Sequence, residues 1–594
     1  MDFNQEKSYK ERYEEWLSSS FYQDAKEELL AIKDDEKEIE DRFCKDLEFG
    51  TAGLRGIIGA GTNRMNVHTV GRVAYALGKC LSLTSDPKVV IAYDSRNRSR
   101  EFAEHSAKVL AAQGVKVYLF DDLRPVPELS FAVRYFKASA GIVITASHNP
   151  KEYNGFKVYE REGNQILEDD VERIVKELKN IKSEDEVKVI SIDGAKEKGL
   201  IEFIGQEVDD SYVEVIKKEC INSEVIERVK DFKVVYTPIH GSGNKLVRRV
   251  LDEVGFKNVL IVKQQELPDP EFSTVKVPNP EDINALSMGI ELAKKENADL
   301  VIGTDPDCDR VGVAVKNDKG EYVGLTGNQI GCLLLDYVAT QKIKKHRIAW
   351  PARMIRSIVT TRMADKIAKA FNIDVEETLT GFKYIGKAIN RFYDNFVTLS
   401  SSERERMDNF VMAFEESYGY LVGWRAARDK DGVVSSMVIA EMAAYYKENG
   451  MTLYDAMQEL YKKYGYYLDG VKSYTLQGVE GREKIKSAMK QIRNDMAEDV
   501  FTKRLLVRVK KDYFNRKEFD VKKNTVGSIH MPKADVLYYE LGNDEWFCIR
   551  PSGTEPKIKL YFGVTSSDYE ESKDRLEKLR NIVVEEVEKL LYNV

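Results

Sequence analysis

The stretch Gly141-Ile142-Val143-Ile144-Thr145-Ala146-Ser147-His148-Asn149-Pro150 runs from four residues without polar side chains into a polar turn closed by proline. A short, uninterrupted apolar run of this kind fits a strand buried on both faces, as in a parallel sheet. In open parallel sheets, ligand groups lie beyond the carboxyl ends of the strands. Ser147 stands at that place. A loop serine taken alone is more often a turn or capping residue than a catalyst. The segment is not GxSxG, and direct adjacency makes a triad-type pairing of Ser147 with His148 awkward. A hydroxyl that carries a phosphoryl group needs positioning and electrostatics more than a strong base.

Working outward, the same strand-then-loop pattern recurs. Val89–Tyr93 and Val115–Phe120 read as buried strands, with a helix predicted over Ser99–Gln113 and stopped by Gly114. Lys233–Tyr236 and Asn258–Val262 open a second unit, in which Asp299–Gly303 leads into Asp305-Pro306-Asp307-Cys308-Asp309-Arg310. A third unit runs from about residue 326, and its strand Asn409–Phe414 leads into Glu415-Glu416-Ser417-Tyr418-Gly419. Lys462 to Val471 reads as a linker into a fourth domain. Strands are predicted there at Leu505–Val509 and Trp546–Ile549. An amphipathic helix over Tyr569–Tyr592 carries Leu576, Leu579, Ile582, Val583, Val587 and Leu590 on one face. The first fifty residues read as a packed helical extension with a stripe of Trp16, Leu17, Phe21, Leu29, Leu30 and Ile39. The boundaries expected are 1–208, 209–325, 326–463 and 464–594.

Asp305, Asp307 and Asp309 alternate in a loop after an apolar strand. Three carboxylates so close repel one another unless a cation intervenes, and hard oxygen donors suit a divalent cation such as Mg²⁺. A calcium loop of the EF-hand type needs Gly at its sixth position and Glu at its twelfth. Arg310 and Lys316 stand there instead. Cys308 has the wrong chemistry for Mg²⁺ and is expected to point away. Arg550-Pro551-Ser552-Gly553-Thr554 offers a guanidinium, two hydroxyls and a glycine, a phosphate cradle by composition. Without its context it would read as an ordinary turn. No GxxxxGK[ST] is present, so ATP is not expected as direct donor, and no GxGxxG follows a strand.

At 594 residues the chain is too long for one core. Its 43% hydrophobic and 32% charged content is that of a soluble globular protein. A net charge of −8 disfavours nucleic acid as a partner. The charged start shows no secretory pattern, and no apolar run is long enough to span a membrane. Six scattered cysteines without CxxC read as reduced thiols in the cytoplasm.

Taken in order, the Ser147, Asp305, Glu415 and Arg550 segments resemble the α-D-phosphohexomutase superfamily over nearly the whole chain. The long N-terminal extension and Phe382 look like its branch of longer phosphoglucomutases, phosphopentomutases and a bisphosphate synthase. The resemblance implies an α/β protein of three similar mixed α/β domains plus a C-terminal α+β domain around a central cleft. It implies Ser147 as phosphoryl carrier, with Arg55, His148, Lys157 and Lys430 beside it. Asp305, Asp307, Asp309 and Ser147 would hold Mg²⁺. Thr380, Gly381, Lys383, Glu415, Ser417 and Arg428 would meet the sugar phosphate, and Arg550, Ser552, Gly553, Thr554 and Lys557 its phosphate. The expected reaction converts glucose 1-phosphate to glucose 6-phosphate through glucose 1,6-bisphosphate, in a monomer or homodimer. Mannose or pentose phosphates are alternative substrates. A non-catalytic sugar-phosphate sensor is an alternative of another class, although binding alone needs neither the serine nor the three aspartates.

Overall fold

The computed structural model of the chain describes residues 7–51, 53–82, 84–395, 408–476, 478–494, 499–552 and 557–592. Among them lie four β-sheets. The first runs edge to edge through Leu54–Ile57, Tyr153–Glu160, Ala140–Ile144, Lys88–Tyr93, Lys116–Phe120 and Ile201–Ile204. The second runs Tyr322–Leu325, Val311–Lys316, Leu300–Thr304, Lys233–Thr237, Asn258–Ile261. The third runs Asp374–Thr378, Ile348–Ser357, Asp408–Glu415, Gly419–Val422.

These three sheets repeat one device. A strand lies parallel to an inner neighbour, ends in a polar loop, and the chain returns antiparallel along its other side. Ala140–Ile144 pairs parallel with Lys88–Tyr93 and antiparallel with Tyr153–Glu160. Leu300–Thr304 pairs parallel with Lys233–Thr237 and antiparallel with Val311–Lys316. Asp408–Glu415 pairs parallel with Ile348–Ser357 and antiparallel with Gly419–Val422. Ala140–Ile144 and Leu300–Thr304 are buried at every residue, which is why they read as continuous apolar runs. The three loops therefore leave the carboxyl ends of parallel strands, where ligands bind in such sheets.

The helix Gly432–Glu448 has apolar residues on all sides for most of its length and is buried from Gly432 to Ala444. Asp431 caps it, accepting hydrogen bonds from the N–H groups of Val433 at 3.0 Å and Val434 at 2.9 Å. It packs on helices Ser223–Arg228, Asn244–Glu253 and Gly327–Lys344. One continuous apolar cluster thus joins the first three modules, from Phe120 through Ile302 to Phe414 and Val433.

The fourth module is a seven-stranded antiparallel sheet in the order Tyr466–Thr475, Lys557–Ser566, Trp546–Pro551, Leu537–Glu540, Val509–Asp512, Lys517–Asp520, Thr525–Ser528. The helix Tyr569–Tyr592 covers it, burying Leu579, Val583, Val587 and Leu591 at four-residue spacing. Leu576 and Leu590 are partly buried against the same core.

Several expectations need correction. Lys462 to Val471 is not a linker: the helix Leu453–Tyr464 passes through Gly465 directly into the strand Tyr466–Thr475. No strand covers Leu505–Arg508; it starts at Val509, and Leu506 is 91% exposed. The boundary expected after residue 208 falls inside the helix Gln206–Lys217. In the N-terminal extension, Trp16, Leu29 and Ile39 are buried, but Phe21 and Leu30 face outward. Trp16 stacks on Tyr22 at 3.9 Å, and Arg64 ties the extension to the first module through Asp41 at 2.5 Å.

Candidate active site

Ser147 sits in the left-handed region with φ 51° and is buried. That conformation is uncommon for a residue with a side chain and is kept where the surroundings enforce it. Here the Ser147 N–H donates to Thr145 Oγ1 at 2.8 Å, and the Ser147 hydroxyl donates to Asp305 Oδ2 at 2.8 Å. The turned backbone also brings the ring of the next residue round, so Ser147 Oγ lies 3.2 Å from His148 Nδ1. The two side chains are thus in contact although the residues are adjacent. Burial, then the cations Arg310 and Arg55, hold His148 well below its ordinary pKa, so its imidazole is neutral.

Asp305, Asp307 and Asp309 are all buried, with one carboxylate oxygen of each within 4.8 Å of the others. Asp305 Oδ1 accepts the backbone N–H groups of Asp309 at 3.1 Å and Arg310 at 3.0 Å, which closes the loop on itself. Lys157 donates to Asp307 Oδ2 at 2.9 Å, and Lys430 lies 3.0 Å from Asp309 Oδ2. Burial, then the charges of Asp307 and Asp309, push Asp305 well above the usual carboxylate range. Burial opposes ionisation of Asp307 too, but the ammonium of Lys157 outweighs it and holds that carboxyl low. Asp307 Oδ1 and Asp309 Oδ1 are buried without a hydrogen-bond partner. Buried, orphaned carboxylate oxygens converging in an all-oxygen set fit a hard divalent cation such as Mg²⁺. The sulfur of Cys308 lies against Gly243 and Gly432 instead.

The first and third modules reach this cluster directly. The Val126 N–H donates to the Asp307 carbonyl at 2.9 Å, and the Gly432 N–H to the Cys308 carbonyl at 3.0 Å. Lys430 runs over Gly419, where a Cβ would lie 2.0 Å from its Cδ, so only glycine leaves room for this lysine. Burial opposes the charge of Lys430, but Asp309, Asp429 and Glu415 hold it firmly as an ammonium. That suits holding a phosphate and disfavours accepting a proton.

Arg55 Nη1 donates to Asn149 Oδ1 at 3.0 Å, within the Ser147 loop. Glu415 accepts the Gly381 N–H at 2.6 Å, and the hydroxyl of Thr380 is buried without a partner among the described residues. Lys383 donates to Glu168 of the first module at 3.0 Å. Arg428 lies beside the helix Phe382–Asn395. Its guanidinium donates to Asn390 at 2.6 Å and to the carbonyls of Trp424 and Ala427, within the fold.

Burial opposes the charge of Arg550, but Tyr561, Glu416 and Glu415 hold it charged, which places it within electrostatic reach of the Glu415 loop. Ser552 N–H donates to the Lys557 carbonyl at 2.7 Å, so the two ends of the loop meet. Gly553 and Thr554 lie outside the described residues. Glu416, Ser417 and Lys559 line a cavity of about 350 Å³ between the third and fourth modules.

Three further residues stand at this site. Lys559 pairs across the strands with Arg550. Polar and apolar residues alternate over Lys557–Tyr561, a period-two signal that could have revealed Lys559. Burial, then the charge of Glu415, pushes Glu416 up to about 7. Arg96, just past the strand Lys88–Tyr93, donates to the carbonyls of Ser147 and Asn149, both at 2.5 Å. Its place after a parallel strand was the available signal.

Family models described as phosphoglucomutase/phosphomannomutase alpha/beta/alpha domains I, II and III match residues 46–185, 210–320 and 326–464, and that for the C-terminal domain matches 506–581. A phosphoglucomutase from Staphylococcus aureus (strain MRSA252) is 37% identical over 540 residues, 90% of this chain and 93% of that protein. That of strain bovine RF122 is 37% identical over 533 residues, 89% of this chain and 92% of that protein. Among solved structures, the Paramecium phosphoglucomutase parafusin in its open form superposes with a TM-score of 0.65 at 16% identity, over 92% of this chain and 95% of that one. A putative phosphomannomutase from Thermus thermophilus gives 0.62 at 22% identity, over 91% and 99%. At such identities these two structures speak for the fold.

Proposed function

Because the chain belongs to the phosphoglucomutase/phosphomannomutase family, we propose that it interconverts α-D-glucose 1-phosphate and glucose 6-phosphate through a phosphorylated Ser147 and a glucose 1,6-bisphosphate intermediate. The observation that carries this reading is the Ser147 hydroxyl on Asp305 at 2.8 Å, inside a buried cluster of three carboxylates. Names of the curated relatives support glucose as the sugar.

In this reading the bond from phosphorus to Ser147 Oγ breaks as a free hydroxyl of the sugar phosphate bonds to phosphorus. The proton of that hydroxyl ends on Ser147 Oγ, and the neutral His148 imidazole, 3.2 Å from Oγ, is placed to relay it. Lys157, Lys430 and Arg55 supply positive charge around the transferring group. Asp305, Asp307 and Asp309, with an oxygen of phosphorylated Ser147, would hold Mg²⁺. Bound there, Mg²⁺ would stabilise charge on the phosphoryl oxygens. Glu415, Ser417 and the Thr380-Gly381-Lys383 turn would recognise the sugar. Arg550, Ser552, Gly553, Thr554 and Lys557 would grip the phosphate that is not being transferred. Arg428 would act through the loop that carries Lys430. The bisphosphate reverses inside the cleft, and its other phosphoryl group returns to Ser147.

We assign the chain four domains with boundaries near residues 205, 325 and 465. It would act in the cytoplasm on small sugar phosphates, as a monomer or homodimer. Among the described residues no helix is long and apolar enough to cross a membrane, and all six cysteines are unpaired. Coupled turnover on glucose, mannose and ribose 1-phosphates, with and without glucose 1,6-bisphosphate, tests the function. Fastest turnover on glucose 1-phosphate, stimulated by the bisphosphate, is expected. Preference for another sugar would replace the substrate, and no turnover on any would leave the sensor.

A further inference from the structure

We propose that Arg96, capped by Phe272 of the second module, is the positioning residue that sets the Ser147 loop against the aspartate cluster. This rests on the reading of Ser147 as the phosphoryl carrier.

Arg96 lies three residues beyond the strand Lys88–Tyr93, the parallel neighbour of the strand that delivers Ser147. Its side chain has no solvent exposure. Nη1 donates to the carbonyls of Pro150 at 2.8 Å and Tyr153 at 3.1 Å. Nη2 donates to those of Ser147 and Asn149, both at 2.5 Å. The four Nη hydrogens thus serve four main-chain oxygens of one loop and leave none for a substrate phosphate. Asp94 supplies the opposite charge: its Oδ2 lies 3.4 Å from Nε without a hydrogen bond, and its Oδ1 accepts the Arg96 N–H at 3.0 Å and the Ser99 hydroxyl at 2.7 Å.

The other face of the guanidinium meets the second module. The ring of Phe272, itself 1% exposed and at φ 45°, lies 5.1 Å from the guanidinium carbon. The neighbouring Glu271 accepts from Asn97 and from Lys151, both at 2.7 Å. Asn97 follows Arg96 and Lys151 follows Pro150, so one short segment of the second module holds the clamp and the loop together. Asp269 shapes that segment by accepting the N–H groups of Glu271 and Ser273, both at 2.9 Å. The second module also carries the aspartate cluster. The clamp therefore refers the Ser147 backbone to the module that holds Asp305.

A lysine at position 96 keeps the charge but has three hydrogens on one nitrogen, which cannot fan out to four carbonyls. Ser147 would then drift from its place, and a misplacement of about 1 Å costs on the order of 100-fold in rate. In the proposed function the sugar phosphate is held by loops of the third and fourth modules, so KM should hold.

Arg96→Lys and Phe272→Leu are to be compared with wild type in kcat and KM for glucose 1-phosphate, thermal melting, and phosphate on Ser147 by intact mass after incubation with glucose 1,6-bisphosphate. Expected are folded proteins with KM within about two-fold of wild type, and kcat lowered about 100-fold by Arg96→Lys and about ten-fold by Phe272→Leu. A merely structural role would lower the melting temperature and leave kcat of the folded protein intact, which would overturn the inference. So would a loss carried by KM. Should Arg96→Lys fail to fold, Phe272→Leu decides alone, because it keeps every Arg96 hydrogen bond and removes only the flat surface over it. A wild type without phosphate on Ser147 would overturn the carrier reading and this inference with it. A phosphorylated wild type with undiminished kcat in the variants would overturn this inference alone.

Discussion

The Ser147 and Asp305 loops are interlocked with each other and with the third module, whereas among the described residues the fourth module meets the third largely through one smaller apolar cluster. Around Ser147 the contacts between modules are short and buried: Ser147 to Asp305 at 2.8 Å, Lys157 to Asp307 at 2.9 Å, Val126 N–H to the Asp307 carbonyl at 2.9 Å. One apolar cluster runs beneath them through three modules. The fourth module has a core of its own, adds Tyr467 to that large cluster, and meets the third through a smaller cluster of Ile358, Val359 and Leu379 against Tyr538, Trp546 and Tyr561. Its ion pair of Lys366 with Asp544 at 2.8 Å is partly exposed, of a kind that contributes about 0–1 kcal/mol, while that of Arg362 with Glu540 at 3.1 Å is more buried. The difference separates two tasks. Under the proposed mechanism the reacting end must be placed to fractions of an ångström, while the gripping end must accept a substrate phosphate in either of two poses.

The largest effect should come from the interlocked region. Ser147→Ala is expected to lower kcat by more than about 10⁴-fold with folding intact, since it removes the phosphoryl carrier and little packing. Phosphate should be absent from the variant by intact mass. Turnover close to wild type would break the contrast, because the fixed loop would then carry no chemistry.

Asp307→Asn should lower kcat about 10³-fold, and chelation should silence the wild type until Mg²⁺ is restored. The same substitution leaves Lys157 facing a neutral amide. Full activity of chelator-treated protein would sink the metal assignment.

Arg550→Lys tests the fourth module and should be milder. Lysine keeps the charge but loses the two-point grip, so KM should rise and kcat fall, each about ten-fold. Both directions of the reaction, measured at saturating bisphosphate, should suffer alike because both poses use this loop. A defect confined to one direction would show that the two poses are gripped at different places.

The smallest effect concerns pH. Glu416 is pushed up to about 7 by burial and by Glu415. Between pH 6 and 8 it passes from neutral to anionic, adding negative charge near Arg550 and Lys559. KM for the sugar phosphate should therefore climb a few-fold as pH rises through about 7. Glu416→Gln stays neutral and should flatten that climb. A KM profile identical in both proteins would separate Glu416 from phosphate binding.

Much of the fold was legible because buried parallel strands must be apolar throughout. Val89–Tyr93, Gly141–Ile144 and Asp299–Gly303 are apolar runs by composition, and the loops after the last two hold Ser147 and the three aspartates. The fourth module was harder. Lys462 to Val471 is charged and rich in tyrosine, and it becomes a helix end and a strand only because Tyr466–Thr475 finds Lys557–Ser566, about ninety residues away, to pair with. Leu505–Arg508 is apolar enough for a strand, but the ladder with Leu537–Glu540 ends at Val509. Local pattern proposes a strand, and the presence of a partner decides it.

By itself the sequence determined the hydroxyl, the three carboxylates, their order along the chain and their places after buried strands. It could do so because those features depend on residue type and local spacing. Tertiary structure alone decided that Arg96 spends its four Nη hydrogens on the Ser147 loop and that Arg428 bonds Asn390 and two carbonyls of its own loop. It likewise decided that Lys430 stays charged beside Asp309, and that Ser147 and His148 touch despite being neighbours. Those outcomes depend on which distant groups satisfy a buried donor or charge, and that is settled only when the modules pack together.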